Sequence, residues 1–195
     1  MYGSLVENYD MNYPLPYIIE NCIGEKLSFL RLVPEPGGDK LLVENFVKPG
    51  VGPVMHTHFL QDEVLTVEKG RIGYQLKGGA PQYAEVGETV VFHRGVAHKF
   101  WNAGDEELHC TGYIKPANSI VFFLTSLFEA QNKSGSARPE LFDGAYLVKR
   151  YASEYEMNEM PWLVKKLVIP VVYFAGKLLG KYKHFKNAPR PIKLS

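Results

Sequence analysis

Hydrophobic and polar residues alternate in short runs along the first part of this chain, which is the pattern of β-strands with one buried face. Clear examples are the runs from Lys26 to Val33 and from Leu41 to Val47. Turn clusters rich in Gly, Pro and Asp separate the runs at even spacing. Further predicted strands cover residues 63–68, 71–76, 89–92, 98–102 and 108–114. Short strands in this arrangement predict a mainly β, antiparallel sandwich or closed barrel.

After Ala117 the apolar residues recur at the three-to-four-residue spacing of helices. The first apolar stripe consists of Ile120, Phe123, Leu124, Leu127 and Phe128, and the polar stretch 133–136 ends that helix. A second helix begins near Pro139, and its stripe consists of Leu141, Ala145, Val148, Ala152 and Tyr155. A third runs from Trp162 to about Tyr182, and Pro170 is expected to kink or end it. Residues 1–16 precede all of this, and their prolines predict an irregular arm.

The third helical segment is apolar enough to raise the question of a membrane. Lysines interrupt it, and the longest lysine-free run is Leu167 to Gly176, shorter than the roughly 20 residues of a spanning helix. Two interpretations remain open. The helix packs its apolar face on the barrel or on a dimer partner, or it lies on a membrane surface as an amphipathic helix. The basic tail residues Lys181, Lys183, Lys186, Arg190 and Lys193 favour the second interpretation.

Length and charge narrow the class of protein. The chain has 195 residues, enough for one sizeable domain with an appended element, and a net charge of +1 gives no indication of nucleic-acid binding. Its two cysteines, Cys22 and Cys110, are expected to be buried free thiols of a reducing compartment. The first residues lack the basic start and apolar core of a signal peptide, so we expect a cytoplasmic protein.

Four residues form a candidate metal site. His56 and His58 are two positions apart, so an extended strand directs both imidazoles to the same side. Glu63 follows after a connection short enough for a hairpin, which would bring it back to the same place on the next strand. His98 opens a second alternating segment, in which His98, Phe100 and Asn102 share one face. Imidazole and carboxylate are ligands of borderline divalent metals.

Together these segments resemble the two motifs of the cupin superfamily. The first motif is Gly, five residues, His-x-His, three or four residues, Glu, six residues and Gly. The second is Gly, five residues, Pro-x-Gly, two residues, His, three residues and Asn. The matching positions are Gly50, His56, His58, Glu63, Gly70, Gly87, Gly95, His98 and Asn102. One position departs, because His93 stands where the family has proline, which affects the rigidity of one turn.

The resemblance implies a double-stranded β-helix, or jelly-roll barrel, over residues 17–116, followed by a helical extension over residues 117–195. It also implies one divalent metal per chain, iron, manganese, nickel or zinc, held by His56, His58, Glu63 and His98. His93 and His109 are left outside this ligand set. By alternation, Val54, Leu65, Val67 and Phe100 are expected to line a mostly apolar cavity for a small-molecule ligand.

The functional expectation is a metal-dependent, dioxygenase-like enzyme acting on a small, partly apolar substrate that chelates the metal. No catalytic residue beyond the metal ligands is assigned. The alternatives are a non-catalytic barrel that binds a small molecule as a sensor or store, and isomerase or decarboxylase chemistry, since one fold supports many functions. We also expect a homodimer, and the segment after the barrel shows no pair of helices typical of DNA binding.

Overall fold

The computed structural model describes residues 13–192, which form two antiparallel sheets followed by helices. The strands are β1 (Tyr17–Glu20), β2 (Glu25–Val33), β3 (Lys40–Val47), β4 (His56–His58), β5 (Asp62–Lys69), β6 (Ile72–Leu76), β7 (Gln82–Ala84), β8 (Thr89–Phe92), β9 (His98–Asn102), β10 (Leu108–Lys115) and β11 (Tyr155–Met157). The larger sheet has the order β1-β2-β3-β10-β5-β8, and the smaller has the order β11-β4-β9-β6-β7. The predicted jelly-roll fold is confirmed.

Strand alternation places the barrel core between the two sheets. Along β3, for example, Leu41, Val43 and Val47 are buried while their neighbours are partly exposed. One buried cluster fills the interior between the sheets and consists of Val47, Leu65, Val67, Ile72, Ala84, Val90, Phe92, Phe100, Leu108 and Cys110. The seven strands predicted from alternation are all present. Strands β1, β7 and β11, which have three or four residues each, were not predicted.

The first helix, α1 (Ile120–Ser134), ends where the sequence predicts. Gly135 follows it with φ of 68°, the left-handed conformation that glycine adopts without strain. The second helix, α2 (Leu141–Arg150), starts with the Glu140 side chain accepting hydrogen bonds from the backbone N–H groups of Phe142 and Asp143.

The apolar stripe predicted for α2 is correct for Ala145, which is buried, and wrong for Leu141 and Ala152. Leu141 is 58% exposed and Ala152 is exposed, whereas the buried residues of the helix form the consecutive run from Asp143 to Leu147. The helix also ends before Tyr155, which belongs to β11 and pairs with β4. Pairing with the His-x-His strand therefore overrides a weak helical pattern in this part of the chain.

The third helical segment contains a π-helical stretch, Val164–Val168, that continues into α3 (Ile169–Leu178). Proline cannot donate a backbone hydrogen bond, so the helical ladder must adjust next to Pro170. The N–H of Ile169 bonds the carbonyl of Val164, five residues back. Within residues 13–192, no helix combines the length and apolar character needed to cross a membrane.

The larger sheet and the helices share a second buried cluster. It includes Phe29 and Leu41 from the sheet and Ile120, Leu147 and Tyr151 from the segment that follows the barrel. The C-terminal segment thus packs on the larger sheet, on the same face of β3 that carries Val47 in the barrel interior, and it contributes a strand as well as helices. The boundaries at residues 16 and 116 stay predictions, and the predicted N-terminal arm lies mostly outside the described residues.

The two cysteines differ in burial. Cys110 is buried in the barrel core, and burial raises the pKa of its thiol to about 12. Cys22 is exposed, so the expectation that both thiols are buried is wrong for Cys22. Its position in the turn between β1 and β2 explains the difference, because this turn lies at the surface. Both are free thiols, as expected.

Candidate metal centre

Strand β4 presents its two histidines to the barrel interior. His56 and His58 are two residues apart and are 9% and 4% exposed, as an extended backbone requires for two side chains on one buried face. His56 is the register partner of His98 on β9, so the smaller sheet brings the three imidazoles together. Ring centroids are 4.5 Å apart for His56 and His98 and 4.9 Å apart for His56 and His58.

Glu63 reaches the same point from the other sheet. The sequence predicts a hairpin in which Glu63 returns beside the histidine strand, but β4 and β5 lie in different sheets, so this prediction is wrong. The short connection between them crosses from one sheet to the other, which is how a jelly roll joins its two layers. Glu63 therefore faces the histidines across the barrel interior, where it is 8% exposed.

The four donor atoms converge closely. One ligand atom from each of His56, His58, Glu63 and His98 lies within 4.8 Å of all the others. The Glu63 carboxylate oxygen Oε2 lies 3.3 Å from Nε2 of His98 and 3.9 Å from Nε2 of His58. The structure thus brings all four predicted residues together in a cluster with the donor types and spacing to hold one metal ion.

Backbone carbonyls orient two of the rings. Nδ1 of His56 lies 2.8 Å from the carbonyl oxygen of Val54, and Nδ1 of His98 lies 2.9 Å from that of Val96. A hydrogen on Nδ1 satisfies each contact and leaves the lone pair on Nε2, the atom that faces the cluster. His58 lacks such a contact, because its buried Nδ1 has no hydrogen-bond partner among the described residues.

The surroundings of His98 suit a bound cation. Its Nδ1 faces the carbonyl of Val96 and its Nε2 faces the carboxylate of Glu63, so both nitrogens point at oxygen acceptors. A neutral imidazole has only one N–H group and cannot serve both. A proton shared between Nε2 and the Glu63 carboxylate, or a metal ion bound by both, would resolve this mismatch, and a metal ion there would also be shared with the other donors.

The protonation states suit metal binding. Burial lowers the pKa of His56 to about 4 and that of His58 to about 3, so both rings are neutral near pH 7. Burial alone would raise the pKa of Glu63, but the hydrogen bond with His98 and the nearby imidazoles outweigh it and bring the value to about 2. Neutral imidazoles and an ionised carboxylate are the forms that bind metals.

Comparison with known proteins identifies the barrel. Residues 45–112, which hold all four clustered side chains, match the family model described as the cupin domain. The barrel is a cupin domain. A search of curated proteins finds no match.

Solved structures resemble the chain in part. An uncharacterised protein with a double-stranded β-helix domain from Klebsiella pneumoniae is 23% identical over 45% of this chain and 70% of its own, with a TM-score of 0.39. KdgF from Halomonas is 15% identical over 54% of this chain and 92% of its own, with a TM-score of 0.45. A cupin-like protein from Thermotoga maritima is 21% identical over 47% and 70%, with a TM-score of 0.40.

An ion pair links the two cupin motifs where the family's proline is absent. His93, in the proline position, is mostly exposed, and the turn after it brings Gly95 N–H to 2.7 Å from the carbonyl of His58. Arg94 holds this turn by donating to both carboxylate oxygens of Asp62, at 3.2 and 2.6 Å, and through its backbone N–H at 2.9 Å. Arg94 also lowers the pKa of Asp62. The ion pair therefore holds Asp62, the residue that directly precedes Glu63, in place.

The second cupin motif ends in a structural asparagine. The predicted shared face of His98, Phe100 and Asn102 is confirmed, since all three are buried. Asn102 donates to the carbonyls of Val47 and Glu106, at 2.7 and 2.6 Å, and so closes the turn between β9 and β10. It positions the strand that carries His98.

Tyr155 and Gln61 lie near the cluster and were not predicted. The ring of Tyr155 meets the ring of His58 edge-on, with centroids 5.4 Å apart, and its hydroxyl accepts a 2.8 Å hydrogen bond from Gln61. Gln61 is 1% exposed, and its carbonyl oxygen has no partner in the described residues. In the sequence, Gln61 could have been noticed as a polar residue between two predicted ligands, His58 and Glu63. Tyr155 has no such signal, because it belongs to a distant segment of the chain.

The structure places three of the four residues predicted to line a cavity in the packed apolar cluster of the barrel, and the fourth at the surface. Leu65, Val67 and Phe100 are buried in the barrel interior. Val54 is 50% exposed and lines a surface cleft of about 240 Å³ instead, because the chain reaches its extended strand only at His56. Phe92, which was not predicted, stacks on His98 with centroids 4.2 Å apart.

The remaining barrel histidines lie away from the cluster. His93 lies 3.9 Å from Asp62 at the surface, and His109 pairs with Glu44 at 2.8 Å and stacks on Phe46. Leaving both out of the ligand set agrees with these positions.

Proposed function

We propose that this cupin is a metal-dependent enzyme of the oxygenase type, acting on a small, partly apolar substrate that chelates the metal through adjacent oxygens. The observation that carries the proposal is the convergence of three imidazoles and one carboxylate within 4.8 Å. Three neutral donors and one anionic donor leave a divalent ion with positive charge and, at octahedral coordination, about two open positions. Such sites bind and polarise oxygen ligands.

His56, His58, Glu63 and His98 would hold the metal, which could be iron, manganese, nickel or zinc. A bound metal of this kind supplies Lewis-acid chemistry and a place where substrate and dioxygen meet. The chain itself supplies ligand orientation, through the carbonyls that bond His56 and His98. It also limits water, since all four residues are at most 9% exposed.

The surroundings favour a small substrate with an apolar part. Phe92 lies flat against His98, and Tyr155 lies edge-on to His58, so two aromatic rings flank the ligands. Gln61 offers a buried carbonyl oxygen that can accept a hydrogen bond from a substrate hydroxyl. An enediol, flavonol or diketone has the paired oxygens and modest size that this site would accept.

The first test is the metal content of the purified protein, measured by plasma mass spectrometry before and after reconstitution with each of the four metals. We expect close to one metal per chain, lost in His98→Ala and retained in His109→Ala. The second variant is the matched control, since His109 is a partly buried barrel histidine outside the cluster. Equal metal content in both variants would show that the ligand assignment is wrong.

The second test is oxygen consumption with a panel of enediols, flavonols and diketones. Turnover that disappears in His98→Ala would support the oxygenase proposal. In Gln61→Met we expect weaker substrate binding with unchanged metal content, because the buried hydrogen-bond acceptor is removed. A metal-loaded protein that binds a panel member without turnover would instead favour the sensor or store function, and isomerisation or decarboxylation without oxygen uptake would favour those chemistries.

A further inference from the structure

The third helical segment leaves a large apolar surface uncovered. Its exposed large apolar side chains are Trp162, Leu163, Leu167, Val168, Val171, Phe174, Leu178 and Leu179, each at least 45% exposed. They make up half of the sixteen such side chains among the described residues, and the other eight are scattered over the rest of the molecule. Isolated exposed apolar residues are ordinary on a protein surface, but a contiguous group of this size marks an interaction site.

These side chains include one continuous stripe. Leu163, Leu167, Val171, Phe174 and Leu178 follow one another at intervals of three or four residues, so they lie along one side of the helix. We call this stripe and its neighbouring exposed apolar residues the apolar face. Phe174 and Leu178 in its second half are 57% and 89% exposed.

The opposite side of the helix is held by the rest of the protein. Ile169 and Gly176 are buried, and any side chain at Gly176 would collide with Tyr182 and the ring of Phe142 on α2. The ring of Tyr173 stacks on that of Tyr182, with centroids 5.5 Å apart. The helix thus cannot turn its apolar face inward without giving up this packing.

The segment that carries the apolar face is basic, and acidic groups from other elements reach it at Lys165, which pairs with Glu156, and at His184, which lies 3.1 Å from Asp143. Residues 160–195 contain eight Lys and Arg and no Asp or Glu, whereas residues 1–159 contain fourteen basic and twenty-one acidic residues. Lys166 and Lys177 are exposed, and each directly precedes a residue of the stripe, so both border the apolar face. The exposed basic residues that follow the helix are Lys181, Lys183, Lys186 and Arg190.

We propose that the apolar face docks this protein on the surface of an anionic lipid bilayer. An apolar stripe bordered by lysines, with an exposed tryptophan at one end, has the chemistry to enter the headgroup region while the basic residues contact anionic lipids. Charge disfavours a second copy of the chain as the occupant, because a two-fold contact would bring two basic segments together. The homodimer expected from the sequence stays a prediction, with its interface elsewhere.

The test is co-sedimentation of the full-length protein with vesicles of phosphatidylcholine alone and vesicles that contain roughly one third phosphatidylglycerol. We expect at least tenfold tighter binding to the anionic vesicles, weakened by high salt. Phe174→Glu should abolish binding, whereas Val86→Glu should leave it intact. Val86 is the matched control, because it is a comparably exposed apolar residue on the barrel and its substitution makes the same charge change.

A second pair of variants tests the charges. Lys166→Gln with Lys177→Gln should weaken binding to anionic vesicles roughly tenfold or more. Lys48→Gln with Lys77→Gln removes the same charge from exposed positions on the barrel and should have a much smaller effect. Circular dichroism and thermal melting establish that every variant is folded.

Three results would overturn the proposal. The first is the absence of binding to anionic vesicles, and the second is equal binding of Phe174→Glu and Val86→Glu. The third is a dimer in sedimentation equilibrium that Phe174→Glu converts to monomer while vesicles bind neither form, which would assign the apolar face to a second copy. None of these outcomes depends on the metal site, so the two proposals are tested separately.

Discussion

Glu25 at the start of β2 is a buried carboxyl group whose ionisation the fold opposes. It is 8% exposed, and its partners are the amides of Asn21, at 3.4 Å, and Asn45. Burial is the main cause that raises its pKa from the ordinary 4.5 to about 7, and the charge of Glu63 adds to it. We predict that Glu25→Gln stabilises the protein at alkaline pH.

The sign and size of this change in stability follow from the linkage between proton binding and folding. The folded state holds the Glu25 proton up to about pH 7, whereas the unfolded chain releases it near pH 4.5. The stabilisation from this proton is therefore complete below pH 4.5 and is lost as the pH rises through 7. At about 1.4 kcal/mol for each pH unit, the parent loses about 3 kcal/mol by pH 8.5. The glutamine variant does not titrate and keeps this free energy.

The assay is thermal unfolding of the parent and Glu25→Gln at pH 5 and pH 8.5. We expect the variant to melt about 6–12 °C higher at pH 8.5 and within about 3 °C of the parent at pH 5. Glu20→Gln is the control, since Glu20 is exposed on the neighbouring strand and should show no such difference. A variant–parent difference that is the same at both pH values would refute the reasoning, because only a titrating group makes it change with pH.

Two further predictions concern stability near the site. The ion pair of Asp62 and Arg94 should give a coupling free energy of about 0.5–1 kcal/mol, a modest value because both groups are partly exposed. The measurement is a double-mutant cycle of Asp62→Asn and Arg94→Gln, measured by urea unfolding. A coupling of zero would show that the turn does not need the ion pair. Gly112→Ala should cost roughly 1–3 kcal/mol or more in the same assay, because its β-carbon would collide with the backbone carbonyl of Val64 on the adjacent strand. Gly79→Ala, in an open turn, should change stability by less than about 0.5 kcal/mol, and equal losses for the two variants would contradict the collision.

Tertiary structure decided which elements surround the donors. Glu63 belongs to the opposite sheet from His56 and His58, and a short connection has the same sequence whether it makes a hairpin or crosses between layers. Tyr155 and the other residues of β11 have no strand pattern of their own, because three residues are too few to show a period. Their conformation comes from pairing with β4, which is a contact between segments about a hundred residues apart. Local patterns do not contain that information.

The sequence by itself determined the barrel and its donor set. Alternation in runs such as β3 and β8 and the turn glycines are local consequences of strand geometry, and the His-x-His spacing places both imidazoles on one face wherever the strand lies. Only the folded chain decided that Glu25 is buried and that the apolar face between Trp162 and Leu179 is left uncovered. Periodicity shows that a helix has an apolar side, but whether that side meets the protein or its surroundings depends on which surfaces the remaining segments already occupy.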